Sequence, residues 1–500
     1  MKNSYWIEKS KNKKSFPRIE KEMDANIVIV GAGLSGLSTA YYLGKATNDV
    51  FLIEANQICY GASGRNNGKV SAQHGLLYKD MIKNYDIVLA KQYYEANNAA
   101  LNSIEEIINK HHIACDFKRC DTSIYTQDAT RICELQDEYQ AYLDLHIPCD
   151  YTTTPTLPFP MEACLSMHYQ ATFDPYAYGL ALSEIVVEED ISIFENSPVE
   201  TMIAEENGTY TLLVNHQKVH ANKVIFTSQF PFIDHGHLYF TKMVCEQESV
   251  LCGKSKIDLP NTLLNIEQPV HSFTLNQDYL LLGGNNHKSS HKDEKNEASF
   301  VQHALDYMEA IDYEWSSQDY VTFDKIPFIG KLDKHNENVL FASGFSKWGN
   351  TTSNIAGKLL SAIALGQSSP YRMLFSPQRL SHLFSLPYVK ENLDIVYTFV
   401  KSKFKDSEDE YPCIGEGKTM QIDSHTYGVY RDEQNELFIV DITCPHIGCV
   451  CSFNTIDKTW DCPCHGSRFS YKGEIIKGPA THSLRAYGEG LNVMNPHIIE

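Results

Sequence analysis

The sequence predicts a mixed α/β (α+β) protein that ends in a separate all-β domain. Near the N-terminus an apolar run, NIVIV (26–30), precedes a glycine-rich turn and a helical pattern, and a second apolar run, VFLI (50–53), follows. This order of strand, turn, helix and strand is typical of a parallel, nucleotide-binding sheet. Short alternating runs at 272–276 and 279–284 predict an antiparallel sheet. Paired Cys and His motifs lie in a strand-rich region after residue 411.

The glycine-rich turn has the spacing of a dinucleotide site. Gly31 is expected to make the tight turn, Gly33 to let the backbone approach a pyrophosphate, and Gly36 to let the helix pack on the sheet. The pyrophosphate is then expected at the helix N-terminus. Glu54 ends the second strand, where it is expected to accept hydrogen bonds from ribose hydroxyls. An acid at this position disfavours the 2′-phosphate of NADP.

Composition and charge exclude several classes of protein. The formal charge of −20 over 500 residues argues against nucleic acid as a partner. A continuous apolar stretch of membrane-spanning length is lacking, so no membrane span is expected. The lysine-rich residues 1–23 are expected to form a solvated tail, partly held by Tyr5 and Trp6. Nine of the 14 cysteines are scattered outside 444–464, which favours a reducing, cytoplasmic location.

Two short motifs near the C-terminus each offer one thiolate and one imidazole. They read Cys444-Pro-His446 and Cys462-Pro-Cys-His465, separated by residues 447–461. A Rieske [2Fe–2S] centre needs two thiolates on one iron and two imidazoles on the other. A zinc site with two cysteines and two histidines is the alternative, although its usual spacing pairs like residues with like.

Residues 444–469, with the glycines that follow each motif and Gly478-Pro-Ala480, resemble the Rieske family. The resemblance implies four cluster ligands, which are Cys444, His446, Cys462 and His465. It also implies a disulfide between Cys449 and Cys464 and a hydrogen bond from the Ser467 hydroxyl to a cluster sulfide. Phe469 stands where high-potential members carry tyrosine, so we expect a lower reduction potential. Cys451 matches no family role and is expected to be a small buried side chain.

A second resemblance is carried by GASGRN (61–66), by 324–330 and by 338–351, which are similar to the D-amino-acid and glycine oxidase family of flavoproteins. It implies a Rossmann-like FAD-binding domain and an antiparallel substrate domain. FAD is expected to be non-covalent, because members that attach it do so through a cysteine just before this region, and no cysteine lies between 252 and 413. Further FAD contacts are implied for Ser63, Arg65, Asn66, Val199, Gly330, Gly344, Trp348 and Thr351.

Two candidate catalytic residues follow from the same comparison. His74 is placed to lie over the flavin, with a structural, hydrogen-bonded histidine as the alternative. Lys347 precedes a helix whose N-terminus is expected to point at the flavin pyrimidine ring, where positive charge stabilises the reduced ring. The sequence assigns no general base.

The predicted domain organisation has four parts. They are a tail (1–23), the FAD-dependent oxidoreductase (24–366), a connector (367–410) and the Rieske domain (411–500). Within the second part we predict FAD-binding segments at about 24–78, 150–232 and 321–366, a helical insertion at 79–149 and a substrate domain at 233–320.

The two resemblances together imply a fused iron–sulfur flavoprotein enzyme. We expect it to oxidise a C–N bond of a small amine or amino acid and to pass electrons from the flavin through the cluster to an external acceptor. The alternatives are electron flow in the opposite direction from an external donor, or a redox carrier or sensor without a small-molecule substrate.

Overall fold

The computed structural model describes residues 2–10, 15–155, 158–232, 237, 239–288, 294–379, 411–422 and 425–492. Most of the predicted connector, residues 380–410, therefore lies outside the described residues, as do 493–500. Helices and strands are each numbered along the chain. The helices are α1 (Tyr5–Lys9), α2 (Leu34–Gly44), α3 (Tyr78–Asn84), α4 (Ile87–His111), α5 (Ile132–Asp144), α6 (Pro175–Glu188), α7 (Glu294–Tyr307) and α8 (Gly349–Ala364).

The first sheet has eight strands, and its central part is parallel. Its strands are β1 (Met23–Val30), β2 (Val50–Ile53), β7 (Ser192–Phe194), β8 (Val199–Ala204), β9 (Tyr210–Val214), β10 (Gln217–Phe226), β16 (Phe328–Asp333) and β17 (Asn336–Ser343). Strands β17, β10, β1, β2 and β7 lie side by side and run parallel. Their carboxyl ends therefore meet at one edge, where ligands bind in open α/β sheets. Helices α2 and α8 pack against each other beside this sheet.

The second sheet has nine strands and is mainly antiparallel. Its strands are β3 (Lys69–Val70), β4 (Lys118–Thr126), β5 (Cys149–Thr152), β6 (Ala163–Thr172), β11 (Met243–Lys254), β12 (Thr262–Asn265), β13 (Ser272–Asn276), β14 (Tyr279–Lys288) and β15 (Tyr313–Thr322). Strand β15 forms one edge and pairs with β11. The only parallel pair in this sheet, among the residues described, is β12 with β4.

The prediction of a helical insertion at 79–149 is wrong at β4. Helices α3, α4 and α5 are present, but residues 118–126 form a strand between β6 and β12. The apolar residues of this strand are few, and its pairing is with segments distant in sequence. A periodicity argument that reads only local spacing therefore extended the flanking helices across it.

The N-terminal tail is held at Tyr5 and Trp6, as predicted, but residues 5–9 form a helix and not a solvated segment. Ser4 caps the N-terminus of helix α1 with its hydroxyl, which accepts from the Ile7 amide, and Tyr5, Trp6 and Ile7 are buried. The Trp6 indole nitrogen donates to the Asn66 carbonyl at 2.7 Å. Three consecutive apolar residues in a polar segment thus fill a site that only the folded flavoprotein supplies.

The C-terminal domain consists of two four-stranded antiparallel sheets. One contains β18 (Gly417–Ile422), β19 (His425–Arg431), β20 (Glu436–Asp441) and β25 (Ala486–Asn492); the other contains β21 (Ser452–Asn454), β22 (Thr459–Asp461), β23 (Arg468–Ser470) and β24 (Ile475–Lys477). The two Cys/His motifs occupy the loops between β20 and β21 and between β22 and β23. A buried cluster that includes Trp460 and Phe469 packs beneath these loops. Within the described parts of the chain, none of the helices combines the length and apolarity that crossing a bilayer requires.

Burial of α1 gives a stability prediction. We expect Trp6→Ala to lower the free energy of unfolding of the flavoprotein part by about 3–5 kcal/mol, because it removes a fully buried indole and its hydrogen bond. Urea unfolding followed by flavin fluorescence measures this. Met373→Ala is the control, since Met373 is 83% exposed and its loss should change the stability by less than about 0.5 kcal/mol. Equal effects of the two substitutions would contradict the burial of α1.

Candidate functional site

A cavity of about 1380 Å³ lies at the carboxyl edge of the parallel strands. This exceeds the roughly 300–1,000 Å³ of a typical small-molecule site, so it has room for a dinucleotide and a substrate together. Of the twelve residues predicted to bind FAD, those that line the cavity are Gly31, Gly33, Glu54, Ser63, Arg65, Asn66, Val199, Gly344 and Trp348. Gly36, Gly330 and Thr351 are not among its described lining residues.

The glycine-rich turn leaves no room for side chains. Gly31 has φ +104°, and a Cβ there would lie 2.9 Å from the Ser228 amide nitrogen. A Cβ on Gly33 would lie 2.9 Å from the Ser63 hydroxyl, which accepts a hydrogen bond from Leu34 at the start of α2. A Cβ on Gly36 would collide with the Gly31 carbonyl, consistent with close packing rather than ligand contact. The backbone thus fits a pyrophosphate at the N-terminus of α2.

Glu54 lies at the end of β2, with its carboxylate held by the backbone. It accepts hydrogen bonds from the amides of Ala32 at 2.8 Å and Asn56 at 3.0 Å. Burial raises the pKa of Glu54, and these amide bonds partly oppose the rise. A fixed acceptor that lines the cavity suits a ribose hydroxyl, and this role stays a prediction.

The GASGRN segment connects the nucleotide sheet to α8. The side-chain amides of Asn66 and Asn350 exchange hydrogen bonds at 3.1 Å in both directions. Arg65 is buried, and its Nε donates to the Tyr60 carbonyl at 3.1 Å. The Arg65 Nη2 atom is buried without a hydrogen-bond partner among the residues described.

Two predicted FAD contacts face elsewhere in the structure. The Thr351 hydroxyl donates to Asn97 Oδ1 of α4 at 2.8 Å. A Cβ built on Gly330 would lie 3.0 Å from Pro377, outside the cavity wall. Both residues belong to segments that resemble the flavoprotein family, but they position α8 and the chain after it rather than line the cavity.

Lys347 is held in the turn that precedes α8. Its Nζ lies 2.8 Å from Glu246 Oε2 and donates to Asn286 Oδ1 at 2.9 Å, while its backbone amide donates to Asp319 at 2.6 Å. Burial opposes the charge, but Glu246 and Glu248 outweigh it and raise the pKa of Lys347. Lys347 therefore stays protonated, which suits charge stabilisation and not proton abstraction.

The contacts of His74 are those of a structural, hydrogen-bonded histidine, the alternative to a role over the flavin. Its ring stacks on Trp348 with centroids 4.5 Å apart. Its Nε2 lies 2.8 Å from the Ser71 carbonyl and must donate to it, so Nδ1 accepts from the Tyr93 hydroxyl, also at 2.8 Å. Burial lowers the pKa of His74 to about 3, so the ring is neutral.

Sequence reasoning missed several charged residues of the cavity wall, among them Lys69, Glu246 and Glu248. Lys69 follows the GASGRN segment, and its Nζ donates to the Leu263 carbonyl at 2.9 Å. Burial lowers the pKa of Lys69 to about 8 and raises that of Glu248. The alternation of Glu246 and Glu248 on an apolar strand was the available signal, since two acids on one face of a strand need a polar environment.

The Cys/His loops bring together donors for a [2Fe–2S] cluster. The Sγ atoms of Cys444, Cys451 and Cys462 all lie within 4.8 Å of one another and are buried. The rings of His446 and His465 have centroids 5.0 Å apart. Buried thiols beside paired imidazoles are the donor set that a Rieske centre uses, and these residues fit it.

The surroundings of these donors also match the Rieske pattern. Cys449 and Cys464 form a disulfide. The Ser467 hydroxyl accepts from the Ala480 amide at 2.9 Å and can donate to the Cys444 sulfur. Hydrogen bonds from Cys451, Cys462 and Ser467 lower the pKa of Cys444. Cys451 is buried as predicted, and its thiol lies beside those of Cys444 and Cys462, the two predicted ligands.

The Rieske domain lies directly against strands β11 and β15. The buried Arg468 side chain pairs with Asp461 at 2.8 Å and with Asp457 at 3.0 Å, and it donates to Gln247 of β11 at 3.0 Å. The Tyr320 hydroxyl of β15 donates to the His465 carbonyl at 2.8 Å. Residues of the Rieske domain, including Arg468 and 474–478, also line the cavity of the flavoprotein.

A dinucleotide cavity and a Cys/His cluster site that share one wall define an iron–sulfur flavoprotein. Residues 26–363 match the family described as FAD dependent oxidoreductase, and residues 404–488 match the Rieske [2Fe-2S] domain. The chain belongs to this FAD-dependent oxidoreductase family and carries a C-terminal Rieske domain; it is an oxidoreductase whose cofactors are FAD and a [2Fe–2S] cluster.

Individual relatives agree with this assignment. The chain is 34% identical to a putative Rieske 2Fe-2S iron-sulfur protein, YhfW, of Bacillus subtilis, covering 96% of this chain and 97% of that one. It is 22% identical to gamma-glutamylputrescine oxidoreductase of Escherichia coli, over 74% of this chain and 90% of the relative. Glycine oxidase from Geobacillus kaustophilus superposes with a TM-score of 0.61 at 15% identity, over 71% of this chain and 99% of that chain. That likeness shows the fold alone.

The fixed carboxylate of Glu54 gives a binding prediction. We expect Glu54→Gln to weaken FAD binding about tenfold or more, because a hydrogen bond to a charged group contributes about 1.5–3 kcal/mol. Fluorescence titration of apoprotein with FAD measures the affinity, and the EPR spectrum of the cluster should not change. Glu188→Gln, on the exposed end of α6, is the control. Unchanged FAD affinity in Glu54→Gln would contradict the ribose assignment.

The environment of Phe469 gives a prediction about the reduction potential of the cluster. Phe469 is fully buried in the same apolar cluster as Cys444 and Cys462. We expect Phe469→Tyr to raise the reduction potential by several tens of millivolts, because a new hydroxyl donor would stabilise the reduced, more negative cluster. An EPR-monitored redox titration of the full chain measures this. Phe453→Tyr, elsewhere in the domain, should leave the potential unchanged; an equal rise there would contradict a specific hydrogen bond.

Proposed function

We propose that the protein is a dehydrogenase that oxidises a C–N bond of an amine or amino acid and passes the electrons to an external one-electron acceptor. Two kinds of likeness support the substrate class. One sequence relative is named gamma-glutamylputrescine oxidoreductase, and one structural neighbour is named glycine oxidase. Both names indicate an amine or amino-acid substrate.

The cavity wall supplies groups suited to a charged amine. Glu246 and Glu248 of β11 and Asp319 of β15 line the cavity, and Glu246 lies opposite Asp319 in the sheet register. Lys347 forms an ion pair with Glu246. Glu248 is then the carboxylate best placed to attract a protonated amine, while Lys69, with its pKa lowered to about 8, can exchange a proton near neutral pH. These residues bind and orient the substrate and exclude water from one side of it.

The cofactors supply the redox chemistry. When bound, FAD would accept the hydride that leaves the carbon atom next to the substrate nitrogen, and the cluster would accept one electron at a time. The substrate loses two electrons and two protons overall and becomes an imine, so two single-electron deliveries to the acceptor balance each turnover.

The observation that carries this proposal is the wall shared by the cavity and the Rieske domain. Strands β11 and β15 contact the turn before α8 on one face and the loop of His465 on the other. The turn before α8 in the cavity wall and the Cys/His loop of His465 therefore contact the same strand, β15. A cluster this close to the flavin site would serve little purpose if electrons did not pass between them.

Anaerobic titration tests the proposal. We expect a member of a panel of glycine, N-methylglycine, L-proline and primary and secondary alkyl amines to bleach the flavin absorbance and produce the EPR signal of a reduced cluster. In Cys462→Ser, which lacks a ligand thiol, the same compound should bleach the flavin without that signal. Flavin bleaching with an unreduced wild-type cluster would contradict transfer to the cluster. Reduction of the flavin by an external one-electron donor, with no response to any panel member, would favour the opposite direction of flow.

A further inference from the structure

Tyr320 hydrogen-bonds both to the turn that lines the flavin cavity and to the cluster loop. Its side chain is 1% exposed, and its hydroxyl donates to the backbone carbonyl of His465 at 2.8 Å. Its own carbonyl accepts from the amide of Ser346 at 3.0 Å, in the turn that precedes α8 and lines the cavity. The ring also packs on Phe230, another cavity-lining residue, with centroids 5.1 Å apart. One residue of β15 thus joins the two redox sites.

The cluster loop fits closely onto the neighbouring strand. Cys245 of β11 lies opposite Tyr320 in the sheet register. Gly466, next to His465, has φ +78°, and a Cβ there would lie 2.2 Å from the Cys245 sulfur. Any side chain at 466 would push the loop away from the sheet, so glycine permits this contact.

A buried charged network holds the same contact farther along the strands. Arg468 is 3% exposed and donates to Gln247 at 3.0 Å and to Ser316 at 3.3 Å. The Ser316 hydroxyl also donates to Asp457, and Lys477 lies over the Tyr320 ring at 5.2 Å. Buried polar groups need partners, and for Arg468 two of the partners, Gln247 and Ser316, come from the other domain.

The two imidazole ligands consequently lie in different environments. His465 is 3% exposed and lies beneath the contact with β15. His446 is half-buried, and it lies between Pro445, which is exposed, and Ile447, which is 40% exposed. One ligand therefore faces the flavoprotein and the other faces solvent.

We propose that the Rieske domain stays docked on β11 and β15 during turnover, with Tyr320 as the positioning residue that holds His465 against the flavoprotein. Electrons enter the cluster from the His465 side, and the external one-electron acceptor reaches it from the His446 side. The inference rests on the proposed function for the direction of flow, whereas the docking itself does not.

A disulfide across the contact tests the docking. Ser316 and Asp457 hydrogen-bond across the two domains, so Ser316→Cys/Asp457→Cys should form a cross-link on mild oxidation, detected by mass spectrometry of peptides. The cross-linked protein should keep the EPR spectrum of the dithionite-reduced cluster, and substrate should reduce its cluster as fast as in the uncrosslinked double variant. The two single variants control for the loss of each side chain. A cross-link that does not form in folded, cluster-loaded protein, or one that stops cluster reduction while flavin bleaching continues, would overturn the proposal.

Tyr320→Phe tests the positioning role without the cross-link. This substitution keeps the ring and removes the hydroxyl that donates to His465. We expect substrate-dependent cluster reduction to slow by about three- to tenfold, the ratio that corresponds to a lost neutral hydrogen bond. Flavin bleaching, FAD content and cluster content should be unchanged. Tyr313→Phe, at the other end of β15, is the matched control and should not slow the transfer.

Failure of the inference and failure of the proposed function give different results. If no compound reduces the wild-type flavin, the proposed function fails, while formation of the cross-link with an unchanged cluster spectrum still supports the docking. If substrate reduces the wild-type cluster but Tyr320→Phe transfers at the wild-type rate, the proposed function stands and the role of Tyr320 is wrong.

Discussion

The alternation of side chains along β11 and β15 is the constraint on which the arrangement of both redox sites depends. Successive residues of a strand point to opposite faces of the sheet. In β15, Ser316, Gln318 and Tyr320 are buried, and each side chain hydrogen-bonds to the Rieske domain. The intervening Ser317 and Asp319 are less buried and line the cavity, whose wall Ser316 and Gln318 also reach next to the Rieske domain. Strand β11 repeats the pattern with Cys245 and Gln247 on one face and Glu246 and Glu248 on the other, in matching register. A shift of one residue would exchange the two environments and bury the acids against Arg468 or the cluster loop.

Charge complementarity explains why this wall tolerates so many buried polar groups. The Arg468 guanidinium has two carboxylate partners in its own domain, which raise the pKa of Arg468, and it still has donors for Gln247 and Ser316. Removing one partner from such a network leaves a buried charge unpaired, which costs about 3–5 kcal/mol. On the cavity face, Lys347 forms an ion pair with Glu246. The strands therefore carry one polar network around Arg468 at the domain contact, which also reaches the cavity wall, and one around Lys347 in the cavity.

Local motifs made much of both sites predictable from the sequence. Gly31 and Gly33 form the expected turn, and Cys444 and Cys462 converge as their motifs indicate, because each motif places its residues within one loop. The buried helix α1 and the strand β4 were not predicted, since their stability comes from partners distant in sequence. For the same reason Thr351 and Gly330 are not among the described residues that line the cavity, although the family motif includes them. The contact between Tyr320 and His465 joins residues of two domains, and no periodicity in either segment indicates it.

X-ray diffraction at the iron absorption edge, on crystals of the protein with both cofactors bound, tests the central claim most directly. It locates the two iron atoms relative to the flavin and to β15. We predict iron peaks between the two Cys/His loops, on the face of β15 opposite the flavin, with the Tyr320 hydroxyl within hydrogen-bond distance of the His465 carbonyl. Iron peaks displaced from β15 together with the whole Rieske domain, so that Tyr320 faces solvent, would contradict a shared wall between the two redox sites.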